Sequence, residues 1–167
     1  MDELVDTICE DPRWDAADLD TLAAQAANAT LSHLGFGADG FEIALLGCDD
    51  TRIAVLNTEF RDKETPTNVL SWPSDERAAS TPGGTPQRPE PGTVMAEELG
   101  DIAISYDTCA READAAGKPF KAHVTHLMVH GVLHLLGYDH ICEEDAALME
   151  GLEVEILATL GLSDPYS

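Results

Sequence analysis

Apolar residues recur at steps of three and four through Leu19, Leu22, Ala26 and Ala29, which predicts an amphipathic helix over 15–34. Asp15 or Asp18 is placed to start it, and Gly35 and Gly37 to end it. A short apolar strand is expected at 4–9, and a second, rich in Phe, Ile and Leu, at 41–48. Asp49 and Asp50 open a short helix through Ile53, Leu56 and Asn57. Residues 67–72 read as a strand closed by Pro73, and 98–105 as a strand in which Ile102 and Ile104 alternate with smaller neighbours. Helices follow at 106–116, at 120–136 with Pro119 at its first position, and at 143–160 with Leu148, Leu152, Ile156 and Leu160 on one side. Between 74 and 94, Pro82, Pro86, Pro89 and Pro91 fall among Gly83, Gly84 and Gly92, so this stretch is an irregular loop, read as a tolerated insertion. Four short strands and several helices without strict alternation point to an α+β fold, and 167 residues fit one domain.

The segment 120–136 breaks the usual amphipathic rule. Phe120, Val124, Leu127, Met128, Val132, Leu133, Leu135 and Leu136 make it apolar almost all round, as in a buried helix. Yet His123, His126, His130 and His134 fall within a sector of roughly 80° on its surface. Unpaired buried polar groups are costly, so this stripe needs partners. His130 and His134, four apart, project side by side, and Gly137 lets the chain leave the helix and bring His140 back toward them. Three neutral imidazoles with an open fourth position form the geometry of a catalytic zinc site, and also suit nickel, copper or iron. His123 and His126 are read as structural or supporting groups, and His33 has no supporting context.

The same stretch resembles the zinc-protease pattern HExxHxxGxxH, with one departure: Gly131 stands where that pattern has its glutamate base. Peptide hydrolysis by that route is therefore disfavoured. Asp139, the nearest carboxylate in sequence, is read as a turn or supporting residue rather than a base.

Charge narrows the partners. Asp and Glu number 32 against 9 Lys and Arg, a net charge of −23. That excludes non-specific nucleic-acid binding through a broad basic face, but not a local basic site. Arg52, Arg61 and Lys63 lie close together in sequence and are the expected place for a phosphate. No apolar run is long enough for a membrane span, and the start Met1-Asp2-Glu3-Leu4 lacks the positive charge of a signal peptide, so a cytoplasmic protein is expected. Cys9, Cys48, Cys109 and Cys142 form no CxxC pair and read as small buried hydrophobes.

Three segments together resemble the YbeY family of bacterial metallo-endoribonucleases. They are His130-Gly-Val-Leu-His134-Leu-Leu-Gly137-Tyr138-Asp139-His140; the 56–73 stretch carrying Asn57, Arg61, Pro66, Thr67, Asn68, Val69, Leu70, Ser71 and Pro73; and the strand from Leu99 to Ser105. The tail from Leu160 to Tyr166 fits as well, while Trp72 stands in place of the family's usual Phe and the 74–94 loop is long. The resemblance covers most of the chain from about residue 42. It implies a mixed four-stranded sheet packed with helices, and a single metal-dependent hydrolase domain over 1–167. It implies a Zn2+-dependent endoribonuclease specific for single-stranded RNA, acting in 16S rRNA 3′-end maturation and ribosome quality control. On that basis His130, His134 and His140 are the zinc ligands, His134 is also a catalytic residue, and Arg61 is the functional arginine. Arg61 offers a planar fork that matches a phosphate, against the plainer alternative of an ion pair with Asp62 or Glu64. Thr67, Asn68 and Ser71 are candidate neutral donors. The implied partners are single-stranded RNA and the small ribosomal subunit or proteins bound to it, with neither DNA nor a membrane.

Two other classes compete. One is a non-catalytic ribosome-assembly factor with a structural metal site, favoured by the absence of glutamate beside His130. The other is a hydrolase of some other ester or amide.

Overall fold

A computed structural model describes residues 4–37 and 39–166. The acidic start at Met1-Asp2-Glu3 lies outside the described residues. Strands β1 (Val5–Cys9), β2 (Phe41–Cys48), β3 (Val69–Pro73) and β4 (Glu97–Ser105) form one mixed sheet in the order β1-β2-β4-β3. β1 and β4 run parallel to β2, whereas β3 pairs antiparallel with β4 and forms an edge. Helices α1 (Arg13–Ala16), α2 (Leu19–His33), α3 (Asp50–Arg61), α4 (Tyr106–Ala116), α5 (Phe120–Leu135) and α6 (Glu143–Thr159) complete an α+β fold.

The alternation along the strands decides which helix lies where. Phe41, Ile43 and Leu45 of β2, with Ile102 and Ile104 of β4, join the main core with residues of α2, α5 and α6. Cys48, Leu70 and Ala103 point to the other face, where Ile53 of α3 covers them together with Leu46, Leu56 and Trp72. α5 runs through the main core, and Val124, Leu127, Met128, Val129, Val132, Leu133 and Leu135 are all buried. The irregular stretch expected at 74–94 has neither helix nor strand.

Four expectations shift. The helix expected over 15–34 is two helices, broken at Asp18, whose φ is 62°. The break lets Trp14 and Leu19 both reach the core with 0% exposure, and the Trp14 indole donates to the Cys48 carbonyl at 3.0 Å. Pro119 precedes α5 instead of occupying its first position. Pro73 ends β3 as a member of it, which an edge strand tolerates. The buried side of α6 is Met149, Glu153, Ile156 and Leu157, turned about one residue from the expected face.

The four cysteines are free, but only Cys48 and Cys109 are fully buried. Among the described residues, no helix is long and apolar enough to cross a membrane.

Candidate metal centre

The histidines meet because α5 ends one residue before a turn. Gly137 has φ 102°, and an added Cβ would lie 2.6 Å from the Arg77 carbonyl oxygen. A residue with a side chain would pay twice there, in backbone strain and in a clash. The turn returns His140 to the end of the helix. Ring centroids are 4.9 Å apart for His130 and His134, 5.4 Å for His130 and His140, and 5.3 Å for His134 and His140. One ligand atom from each lies within 4.8 Å of the others, an arrangement suited to one metal ion.

Glu153 organises the group from behind. It is 0% exposed, on α6, and its Oε2 lies 3.0 Å from His130 Nδ1. An ionised carboxylate only accepts, so Nδ1 carries the proton, and in the neutral ring that leaves the lone pair of His130 on Nε2. The other oxygen, Oε1, accepts from His126 Nε2 at 2.6 Å and from the Tyr166 hydroxyl at 2.6 Å. Burial pushes the Glu153 carboxyl up, but the bonds from His126, His130 and Tyr166 outweigh it and bring it down to about 2. Burial, then the neighbouring His130, lower His134 to about 4, so its ring is neutral at pH 7. Neutral imidazoles and a carboxylate fixing one tautomer are the donor chemistry that a zinc-class ion takes.

The other histidines divide cleanly. His126 is engaged with Glu153, and His123 Nε2 lies 2.9 Å from Glu112 Oε1, which also accepts from Asn68 at 3.0 Å. His33 pairs at 3.9 Å with Glu155 and does not join the three-histidine group. Asp139 accepts from the His140 backbone at 2.7 Å, a turn contact.

Arg61 lies on the last turn of α3 and lines the same groove as His130, His134 and His140, a space of about 710 Å³. It forms no ion pair within the described residues, so the alternative pairing with Asp62 or Glu64 is not made. Arg52 does not belong to this group. It stands near the other end of α3 and reaches Glu10 at 3.5 Å. Thr67, Asn68 and Ser71 also line the groove.

Three contributors were not singled out from sequence: Glu153, Tyr166 and Arg77. A signal for Glu153 existed, since it lies four residues from both Met149 and Leu157 and so shares a helical face with them. Arg77 belongs to the stretch read as a tolerated insertion, yet it is 5% exposed and donates to the carbonyls of Leu135 at 2.8 Å and Leu99 at 3.3 Å. It fastens that loop to the C-terminus of α5, where a guanidinium satisfies a free carbonyl.

Gly131 has a packing reason. A Cβ there would meet Ile102 Cδ1 of β4 at 3.1 Å. The position faces the sheet and not the three imidazoles. The missing glutamate therefore reflects how α5 lies on β4, and it carries less weight for a vestigial site than the sequence suggested.

The profile of the family described as Endoribonuclease YbeY matches residues 5–161. The protein of that name from Ruegeria pomeroyi is 62% identical over 163 residues, covering 98% of each chain. The one from Methylocella silvestris is 44% identical over 168 residues, covering 99% of this chain and 87% of its own. The solution structure of a Thermotoga maritima protein has the same fold, with a TM-score of 0.54 at 18% identity over 98% of this chain and 99% of its own. The chain belongs to the YbeY family.

Proposed function

We propose that this protein is a metal-dependent endoribonuclease that hydrolyses phosphodiester bonds in single-stranded RNA, with Zn2+ as its ion. The observation that carries the reading is the convergence of His130, His134 and His140 to within 4.8 Å. The names of its relatives supply the substrate class. An ion of this class supplies Lewis acidity toward a phosphoryl oxygen and toward water.

The chain's own residues do the rest. His130, His134 and His140 hold the ion, and Glu153 aims His130 by taking its Nδ1 proton in a hydrogen bond. Arg61, in the same groove and in no ion pair among the described residues, binds the non-bridging phosphate oxygens and the charge that grows on them. Arg77 and Gly137 hold the turn that presents His140. The role in 16S rRNA 3′-end maturation, ribosome quality control and contact with the small subunit follows from the family and belongs to this proposal, as does a cytoplasmic location.

The test is cleavage of a single-stranded oligoribonucleotide by zinc-loaded protein. Expected are cleavage by the wild type, no cleavage of the DNA counterpart, and loss of activity in His134→Ala and Arg61→Ala. Intact RNA after incubation with verified zinc-loaded protein overturns the reading. It then favours the assembly-factor alternative if the protein still sediments with small subunits.

A further inference from the structure

Phe60 precedes Arg61 on the last turn of α3, and its ring is 61% exposed. A single exposed apolar side chain needs no explanation. This one has a setting. Its ring meets Trp72 edge to face, with centroids 5.3 Å apart at 64°. Trp72 stands on β3, an edge strand. Both rings line the groove that contains His130, His134, His140 and Arg61. One continuous surface thus offers phosphate-binding chemistry at one point and an aromatic pair at another.

Charge sharpens the point. A net charge of −23 rules out the broad phosphate contacts that usually supply affinity for nucleic acid. Beyond what Arg61 and a bound ion supply, a local term that does not depend on positive charge adds affinity. Stacking of a base on an aromatic ring is such a term, and it tolerates any sequence because every base has a π face. It also selects against duplexes, whose bases are already stacked and paired.

We propose that Phe60 and Trp72 form a stacking subsite for an unpaired nucleobase beside the phosphodiester held at the histidines. The subsite rests on the endoribonuclease reading and deepens it, by giving single-strand preference a physical source.

Trp72 is its own reporter. Of the two tryptophans, Trp14 is fully buried, so quenching by an added strand reads Trp72. The experiment titrates the full chain with 2′-O-methyl hexa-adenylate and with the same strand carrying abasic positions, which keeps the phosphates and removes the bases. Quenching by the intact strand is expected, with affinity about 5- to 100-fold above the abasic one. Phe60→Leu, which keeps bulk without a π face, loses that preference, whereas Phe60→Tyr retains it. In cleavage, Phe60→Leu raises KM while leaving kcat within about twofold.

Equal binding of intact and abasic strands, absence of quenching, or wild-type affinity in Phe60→Leu each overturns the subsite. The last outcome assigns the ring pair to another occupant, such as an apolar protein contact. Cleavage with unchanged KM in Phe60→Leu overturns the subsite and leaves the nuclease reading standing. A wild type that prefers the intact strand but cleaves nothing supports the subsite and removes the nuclease reading.

Discussion

His130 Nδ1 lies 3.0 Å from Glu153 Oε2, a contact that ties the last helix to one of the three converging histidines. Glu153→Gln replaces a pure acceptor with a group that also donates, and removes the charge that fixes the His130 tautomer. Zinc affinity is expected to fall about 10- to 100-fold. Competition with a chelating dye measures it, and an unchanged affinity means that Glu153 does not set the ligand geometry.

Gly137→Ala tests the turn. The residue must hold φ near 102° and accept a Cβ 2.6 Å from the Arg77 carbonyl oxygen. A loss of about 1–3 kcal/mol is expected from the backbone alone, with weaker zinc binding as His140 is displaced. Urea unfolding with and without zinc separates the two effects.

Arg77→Met removes a buried fork that binds the Leu135 and Leu99 carbonyls. Leaving such carbonyls without a partner costs about 1–3 kcal/mol. Proteolysis within 74–94 should accelerate with it. Wild-type cleavage rates in the variant would show that the loop is held elsewhere.

Stability should fall in acid through Asp50. Burial raises its carboxyl, but bonds from Thr108, Ser105 and Arg111 outweigh it, so the carboxyl sits below the ordinary aspartate value when folded. A depressed folded value means the contribution is present above the unfolded pKa, near about 4, and disappears as pH drops through the folded one. Asp50→Asn should cost about 1 kcal/mol at pH 7 and flatten the acid limb below about pH 4. Denaturation at pH 7 and pH 3 checks it: equal losses at both would contradict the assignment.

Metal removal should lower the melting temperature, because an ion bound to the folded chain alone stabilises it by about 2.7 kcal/mol at a hundredfold excess over Kd. A melting curve unchanged after verified removal would count against a well-formed site.

The pattern of the chain made much of this visible. His130, His134 and His140 were found by spacing and a glycine, because a helix period and a turn are local rules that need no partner. The strand at 41–48 is equally plain from its Phe, Ile and Leu content, and that at 98–105 from the alternation of Ile102 and Ile104 with smaller neighbours. What escaped was set by tertiary contact. Glu153 is buried beside residues 23 and 27 positions earlier in the chain, His130 and His126. Arg77 satisfies a carbonyl 58 positions away. The break at Asp18 exists because Trp14 and Leu19 both enter the core, which no periodicity within 15–34 encodes. Arg52 looked close to Arg61 in sequence, but a helix puts nine residues about 13 Å apart.

The contact between Gly131 and Ile102 also bounds what this scaffold can become. Installing the acid of a zinc peptidase on α5 would need a longer side chain where the sheet already touches the helix. An acid at this position would project toward β4, away from the three imidazoles, so the route to that chemistry runs through repacking of Ile102 and its neighbours on the sheet.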